Sequence, residues 1–226
     1  MKVTAVLPAF NAEKTLRKTY AAIPRRHVQE VILVDDASTD ATVSVAQHLT
    51  DLIVLLHSRN RGYGGNQKTC YAEALQRGAD VVIMIHPDFQ YDPAYIPPMI
   101  APVLNGEADM VLGSRFISAD PRTAGMPAWR YFGNRFLTTA QNTMLGMALS
   151  EGHSGYRAYN RRLLSAIPWQ QFSDDFVFDS QMLAAAARGG WRIKEIAIPT
   201  RYTSESSSIS FPAAVRYGLA TLRALW

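Results

Sequence analysis

Short apolar runs alternate with helical patterns along the first half of the chain, and this alternation strongly constrains the fold. Runs rich in β-branched residues, typical of strands, occupy residues 3–8, 30–35, 51–57, 81–86 and 109–114. Helical spacing of apolar residues fills the intervals between them, at residues 13–23, 40–49, 66–77 and 93–104. Strands separated by helices favour parallel pairing, so the sequence predicts an α/β fold with a mostly parallel sheet covered by helices on both faces.

The rhythm changes after residue 115. Residues 129–148 have one long helical pattern, and residues 179–189 have another that ends at a pair of glycines. The segment WRIKEIAIP, residues 191–199, predicts a last strand. There is neither an internal repeat nor a low-complexity segment, so we expect one large domain, or one domain with an appendage.

The composition is that of a globular protein with a sizeable core. Of the 226 residues, 48% are hydrophobic and 19% are charged, and the single cysteine, Cys70, excludes an intramolecular disulfide framework. One cysteine suits a reducing cytosol, and no apolar stretch has the length of a membrane span, so we expect a cytoplasmic protein. A net charge of +4 favours phosphorylated ligands or an anionic membrane surface. No nucleic-acid-binding motif accompanies it, and no nucleic acid partner is expected.

Polar side chains follow the fourth apolar run directly, in the segment HPDFQYDP. Ligands of open α/β sheets bind at the carboxyl ends of the strands. The carboxylate and amide oxygens of Asp88, Gln90 and Asp92 are ligands that suit Mg²⁺ or Mn²⁺, which also bind substrate phosphates. The segment therefore predicts a metal-diphosphate site. Taken alone, it is equally compatible with a turn in which Asp88 and Asp92 only cap the helix that begins near Pro93.

Two other strand ends would meet this segment. The first strand leads into PAFNAE and the second into VDDASTDAT, and parallel neighbours bring their carboxyl ends to one edge of the sheet. In that crevice Pro8 and Phe10 can pack against a nucleotide base, while Asp36 can accept a hydrogen bond from it. The three segments together favour the metal-diphosphate interpretation, and Asp92 is then assigned to helix capping.

The same segments occur in an order that resembles a known family. PAFNAE, VDDASTDAT, RNRGYGGNQ, HPDFQYDP, LGSRF and SGYRAYNRR stand as in family 2 glycosyltransferases with the GT-A fold. The chain is most similar to the branch of dolichyl-phosphate mannosyltransferase and other polyprenyl-phosphate glycosyltransferases. This resemblance implies a UDP- or GDP-linked sugar donor, Mg²⁺ or Mn²⁺, and inverting sugar transfer in cell-envelope glycoconjugate synthesis.

The resemblance also implies which residues contact the donor. Phe10 stands where the family usually has Tyr, so ring stacking is kept and a phenolic hydrogen bond is lost. Where the branch often has Glu directly after Asn11, this chain has Ala12 and then Glu13. The residues assigned to the nucleotide sugar are Pro8, Phe10, Glu13, Asp36 and Arg115.

The implied metal ligands are Asp88 and Gln90. His86 takes the position of the first Asp of the family's DxD signature. Because a neutral imidazole carries no counter-charge there, the metal would depend on Asp88, Gln90 and the donor phosphates. His86 can itself coordinate Mn²⁺, but the favoured interpretation is a structural histidine at a strand terminus.

The acceptor leaves two hypotheses open. A glycan hydroxyl would need a general base, and SDDFVFDSQ supplies Asp174, Asp175 and Asp179 in the region where the family places its acceptor-side carboxylate. A polyprenyl phosphate is already ionised near neutral pH and would need cations instead, of which Arg115 and Arg201 best match the family motifs. The predicted catalytic residues are therefore Asp175, Asp179 and Arg201.

The last residues predict an amphipathic helix, so residues 1–210 are assigned to the GT-A catalytic domain and residues 211–226 to this helix. Its apolar positions and its spaced arginines, Arg216 and Arg223, suit a membrane interface beside a lipid-linked acceptor, at the inner face of the membrane. Packing on the catalytic domain, or on another subunit of a homo-oligomer, is equally compatible with the pattern.

Two functions outside glycosyl transfer also stay open. A nucleotidyltransferase would hold a metal-bound nucleotide at the same sheet edge, although PAFNAEKTL lacks the Gly-rich signature with a following Lys. A catalytically inactive nucleotide-binding module is compatible with His86 in place of an acidic residue.

Overall fold

A seven-stranded sheet forms the centre of the protein, in a computed structural model that describes residues 1–118, 120–199 and 211–225. The strand order is β3-β2-β1-β4-β6-β5-β7. The strands are β1 (Val3–Ala9), β2 (Glu30–Asp35), β3 (Leu52–Leu56), β4 (Val81–Met84), β5 (Met110–Ser114), β6 (Arg157–Asn160) and β7 (Ile193–Ala197).

Every strand except β6 runs in the same direction. β1 pairs in parallel with β2 and β4, β2 pairs in parallel with β3, and β5 pairs in parallel with β7. β6 lies antiparallel between β4 and β5. The mostly parallel sheet is therefore confirmed. β6 was not predicted because its four residues, RAYN, are too short and too polar to give a strand pattern.

Helices follow most of the strands, as the alternation predicts. They are α1 (Leu16–Ala21), α2 (Thr42–Gln47), α3 (Tyr63–Gln76), α4 (Ile96–Leu104), α5 (Ala128–Leu145), α6 (Arg161–Ala166), α7 (Phe178–Arg188) and α8 (Phe211–Ala224). α6 was not predicted; the Asn160 side chain caps it by accepting from the Leu163 N–H over 2.8 Å. Within the described ranges, no helix combines the length and the apolar character that a bilayer span requires.

The prediction of helices on both faces of the sheet is also confirmed, because the buried strand residues belong to two separate hydrophobic cores, one on each face. Along β1, Ala5 and Leu7 belong to one core and Val6 to the other, as the alternation of side chains in a strand requires. Residues of α1, α2 and α4 complete the first core, and residues of α3, α6 and α7 complete the second. The helices therefore cover the two faces of the sheet, and the predicted crevice lies at the carboxyl ends of the strands.

The predicted C-terminal helix is present as α8, and it packs on α5 and α7. On its packed side the Thr221 hydroxyl lies 3.2 Å from that of Ser180, and Arg188 donates to the carbonyl of Leu225 over 2.6 Å. Val215 and Leu219 are exposed. One side of α8 therefore packs on α5 and α7, and another side presents apolar side chains.

Candidate functional site

A cavity of about 930 Å³ opens at the carboxyl ends of β1, β2 and β4. Pro8 after β1, Asp36 after β2 and Asp88 after β4 all line it. The parallel strands thus bring the three polar segments into one crevice, as expected for an open α/β sheet.

Most of the predicted site residues line this cavity. They are Pro8, Phe10, Asp36, Asp88, Gln90, Arg115, Asp175 and Asp179. Glu13 is not among the lining residues, because its carboxylate turns to the start of α2 and accepts from the Ala41 N–H over 2.9 Å. Arg201 lies outside the described residues. The functional roles of all these residues stay predictions.

The carboxylate of Asp36 is only 3% exposed and is held mainly by the loop before α3. Its Oδ1 accepts from Nδ1 of His57 over 2.7 Å and from the Arg61 N–H over 2.8 Å. Its Oδ2 accepts from the Gly62 N–H over 3.0 Å. A carboxylate has about four acceptor positions, so these three bonds leave one acceptor position of Asp36 unused.

A tight turn after β4 joins the two predicted metal ligands. The Gln90 N–H donates to Oδ1 of Asp88 over 3.0 Å. Phe89 between them has φ 55°, in the left-handed region that is uncommon for residues other than glycine. The ammonium of Lys18 lies 4.1 Å from the centroid of the Phe89 ring, a distance at which a cation–π contact forms. Asp88 and Gln90 therefore lie in the same turn, which the hydrogen bond between them closes.

Asp92, which lies close to this pair in the sequence, has a different role. Its side chain accepts from the Ala94 N–H over 3.0 Å and caps the short 3₁₀ turn that precedes α4. The assignment of Asp92 to capping is therefore confirmed.

Asp179 belongs to a buried network and is only 5% exposed. Tyr63 donates its hydroxyl to Oδ2 over 2.7 Å, and Gln67 donates to Oδ1 over 3.2 Å. The fully buried guanidinium of Arg157 donates to the Asp179 carbonyl over 2.7 Å and lies 4.0 Å from Oδ2. Tyr63 also reaches Nε2 of His86, 3.1 Å away. Both carboxylate oxygens of Asp179 are thus engaged by the protein itself.

Asp175 occupies a more open position at the cavity. Its neighbour Asp174 closes onto the start of α3, where the Gly64 N–H donates to the Asp174 carbonyl over 2.6 Å. Gly62 permits this approach: its φ is 85°, and a Cβ there would lie 2.7 Å from the same carbonyl oxygen. Asp175 itself is exposed, which leaves its carboxylate accessible from the cavity.

Arg115 forms a buried ion pair with Glu151, a partner that the sequence did not suggest. The guanidinium of Arg115 contacts Oε1 of Glu151, and the backbone N–H of Arg115 donates to Oε2 over 2.9 Å. Asn134 of α5 donates to the same carboxylate over 2.8 Å. Burial alone would raise the pKa of Glu151, but the charge and hydrogen bonds of Arg115 hold it below its usual value. Arg115 is therefore built into the wall of the cavity.

The cavity continues between α5 and α8 as an apolar groove. Its lining there is formed by Trp129, Phe136 and Leu137 of α5 and by Val215, Leu219 and Leu222 of α8. The contribution of α5 was not predicted, although its aromatic residues recur on one face at helical spacing, which was the available signal.

His153 lies at the junction of the polar crevice and this groove and was also missed. Its Nδ1 lies 2.7 Å from the Tyr217 hydroxyl of α8. Its Nε2 is buried and has no hydrogen-bond partner in the described part of the chain. Burial lowers the pKa of His153 to about 3, so the ring is neutral. His153 thus places an unpaired polar nitrogen in the cavity wall.

Comparison with known proteins shows which family the chain is similar to. The model of the family described as Glycosyl transferase family 2 matches residues 4–167. The UDP-N-acetylglucosamine–dolichyl-phosphate N-acetylglucosaminyltransferase of Methanococcus voltae is 27% identical over 217 residues, which cover 89% of this chain and 86% of that protein. The undecaprenyl-phosphate mannosyltransferase of Micrococcus luteus is 30% identical over 212 residues, covering 88% and 83%.

A solved structure has the same fold. It is the glucosyl-3-phosphoglycerate synthase of Mycobacterium tuberculosis in complex with Mn²⁺, UDP-glucose and phosphoglyceric acid. The TM-score is 0.76 at 24% sequence identity, over 99% of this chain and 79% of that chain. The likeness shows the GT-A fold that the sequence motifs implied.

Proposed function

The chain belongs to glycosyl transferase family 2, and we propose that it is a metal-dependent, inverting glycosyltransferase that transfers a sugar from a UDP- or GDP-linked donor to a polyprenyl phosphate. The observation that carries this proposal is the continuity of one cavity, from the polar strand ends to the apolar groove between α5 and α8. The polar end suits a nucleotide diphosphate, and the groove suits an isoprenoid chain.

The polar end offers the groups that a nucleotide needs. Phe10 is about half exposed and can stack on a base, with Pro8 beside it. Asp36 keeps one acceptor position for a base N–H. These contacts do not distinguish uridine from guanosine, so both donors belong to the proposal.

The residues present fit a divalent cation that is shared with a diphosphate. In residues 1–118, 120–199 and 211–225, no cluster of three or more His, Cys, Asp or Glu side chains could hold a metal by itself. Mg²⁺ and Mn²⁺ in nucleotide sites use one or two carboxylates and take their other ligands from phosphates and water. Asp88 and Gln90 would hold the ion, which would offset the charge on the departing diphosphate.

The state of the acidic residues supports a phosphate acceptor over a hydroxyl. A hydroxyl must lose a proton to a base, whereas both oxygens of Asp179 accept hydrogen bonds from Tyr63 and Gln67. A phosphate monoester is already anionic and needs no such base. Asp175 remains the alternative base, and the role of Arg201 as a phosphate-binding cation remains part of the proposal.

The surface around the groove supports contact with an anionic membrane. Phe132 and Phe136 of α5 are 63% and 64% exposed, and Val215 and Leu219 of α8 are exposed near the same groove. Both helices carry arginines and neither contains Asp or Glu. Exposed aromatic residues with basic neighbours favour an interfacial location, which goes with the predicted site at the inner face of a membrane. A second copy of the chain on this surface is the alternative.

The experiment that tests this function is a donor and acceptor screen with Mn²⁺ present. UDP- and GDP-sugars are combined with either a polyprenyl phosphate in detergent or a soluble glycan, and release of the nucleoside diphosphate is measured. We expect release that depends on the polyprenyl phosphate. Release of a sugar phosphate in place of the nucleoside diphosphate, with transfer of the nucleoside monophosphate, would indicate a nucleotidyltransferase. Release of the nucleoside diphosphate that depends only on the glycan would exclude the proposed acceptor.

A further inference from the structure

We propose that His86 is itself a ligand of the donor-site cation, through Nδ1, and that Tyr63 and Asp179 fix the tautomer that makes this atom available. The inference rests on the proposed function, since the cation is the one that Asp88 and Gln90 would hold. It gives His86 a role other than that of a structural histidine, and it gives Asp179 a role other than that of a general base.

The hydrogen bonds of Tyr63 decide which ring nitrogen of His86 carries the proton. An ionised Asp179 carboxylate can only accept, so Tyr63 uses its single proton in the 2.7 Å bond to Oδ2. The hydroxyl oxygen must then accept from Nε2 of His86, 3.1 Å away. In a neutral imidazole with its proton on Nε2, Nδ1 has a free lone pair.

The surroundings of Tyr63 and Asp179 maintain this order. A tyrosine hydroxyl carries its proton near neutral pH, and the 2.7 Å bond to Oδ2 of Asp179 uses that proton. The guanidinium of Arg157, 4.0 Å from Oδ2, supplies a counter-charge to the Asp179 carboxylate. The direction of donation is therefore from His86 to Tyr63 to Asp179.

The position of the ring leaves Nδ1 on the side away from this network. Gly155 packs so closely that a Cβ there would lie 2.8 Å from Nε2 and 3.0 Å from Cδ2 of His86. Nδ1 lies opposite the bond between those two atoms, and it has no hydrogen-bond partner within the described ranges. His86 lines the same cavity as Asp88 and Gln90 and precedes Asp88 by two residues. Both the ring edge and the sequence position suit coordination beside Asp88.

This arrangement matches what metal-binding histidines require. Such a histidine donates its other ring N–H to a carboxylate, a carbonyl or a water, which fixes the tautomer and strengthens the ligand. Here Nε2 of His86 donates to the Tyr63 hydroxyl, and that hydroxyl donates in turn to the carboxylate of Asp179. An imidazole in place of a carboxylate lowers the negative charge of the site, and Mg²⁺ prefers oxygen ligands, so we expect the site to favour Mn²⁺ or Co²⁺ over Mg²⁺.

Pulsed electron paramagnetic resonance of bound Mn²⁺ tests the ligand directly. The full chain is loaded with Mn²⁺ and either UDP or GDP, and nitrogen couplings are recorded with ¹⁴N- and ¹⁵N-histidine. We expect the coupling of a directly bound imidazole, which changes with the isotope and disappears in His86→Asp while Mn²⁺ stays bound. The same variant should raise the affinity for Mg²⁺ relative to Mn²⁺.

The failures of the two proposals can be distinguished in this experiment. Mn²⁺ that binds, is lost in Asp88→Ala and shows no histidine nitrogen would overturn the role of His86 alone. Failure to bind Mn²⁺ with either nucleotide, or binding that survives Asp88→Ala, would overturn the metal site of the proposed function and this inference with it.

Tyr63→Phe tests the network, because it removes the hydroxyl and keeps the ring. We expect Mn²⁺ affinity to fall by roughly tenfold or more, the usual effect of losing a partner behind a metal ligand. Tyr71→Phe is the matched control: its hydroxyl donates to Gln67 over 2.6 Å in the same buried region without touching His86. Equal Mn²⁺ affinities in the two variants would contradict the role of Tyr63.

Discussion

Arg115 and Glu151 form an ion pair in which the carboxylate is fully buried and the guanidinium nearly so. The pair joins the end of β5 to the segment before β6, and Asn134 ties it to α5. A residue that the motifs assign to the nucleotide sugar is thus also part of the framework of the cavity wall.

We expect Arg115→Ala to lower the free energy of unfolding by about 3 kcal/mol, because it leaves the buried charge of Glu151 without its partner. Urea denaturation measures this loss. Replacing the exposed Arg216 by Ala is the control and should change stability by less than about 0.5 kcal/mol. If Arg115→Ala weakens donor binding and leaves the unfolding curve unchanged, Arg115 is a ligand contact only.

His153 should make the fold sensitive to acid. Burial lowers the pKa of His153 from 6.5 to about 3. Below pH 6.5 the imidazole is therefore protonated in the unfolded chain and stays neutral in the folded protein. The contribution of His153 to the free energy of unfolding is therefore fully present above pH 6.5. It falls by about 1.4 kcal/mol per pH unit from pH 6.5 down to about pH 3. His153→Gln should flatten the pH profile of the unfolding free energy in that range. An unchanged profile would contradict the neutral, buried ring.

Asp88 and Asp92 lie in one segment and should differ completely in effect. Asp88→Ala should abolish the Mn²⁺-dependent part of nucleotide binding, measured by calorimetry, because it removes the only carboxylate of the proposed metal pair. Asp92→Ala should leave that binding intact and cost about 1 kcal/mol of stability through the lost cap. Loss of Mn²⁺-dependent binding in both variants would contradict the separate roles.

Asp175 distinguishes the two acceptor classes. With a phosphate acceptor, Asp175→Asn should change kcat by less than about threefold, because no proton has to be removed. A general base would instead contribute about 10²- to 10⁴-fold. Asp175 is exposed, so we expect the substitution to leave the fold unchanged. A large drop in kcat, with an unchanged melting temperature, would favour a hydroxyl acceptor.

The aromatic face of α5 should control membrane binding. We expect Phe132→Ser combined with Phe136→Ser to lower partitioning to vesicles of anionic lipid by at least about tenfold, since a fully buried Phe contributes about 1.5–3 kcal/mol. Leu56→Ser changes another exposed apolar residue, on the edge strand β3; it is the control and should have no effect. Equal binding by both variants in a flotation assay would contradict a membrane role for α5.

The sequence predicts the features that depend on neighbouring residues. The α/β alternation, the crevice of three strand ends and the cap at Asp92 follow from local patterns and from parallel pairing. The partners of the site residues cannot be predicted in this way, because they come from distant segments. Glu151, in the segment before β6, contacts Arg115 after β5, and Tyr63 of α3 links Asp179 to His86 by hydrogen bonds. Glu13 faces α2 for the same reason, since its hydrogen bond with Ala41 depends on the packing of two loops.

Sugar transfer to a lipid phosphate is the central claim, and detection of the product tests it most directly. The chain is incubated with Mn²⁺, labelled UDP- or GDP-sugars, and either a polyprenyl phosphate or the corresponding polyprenol, and the lipid extract is analysed by mass spectrometry. We expect a polyprenyl-phosphate sugar from the phosphate, no product from the polyprenol, and no product with Asp88→Ala. A sugar attached to the polyprenol hydroxyl, or no lipid product from any donor, would contradict the account.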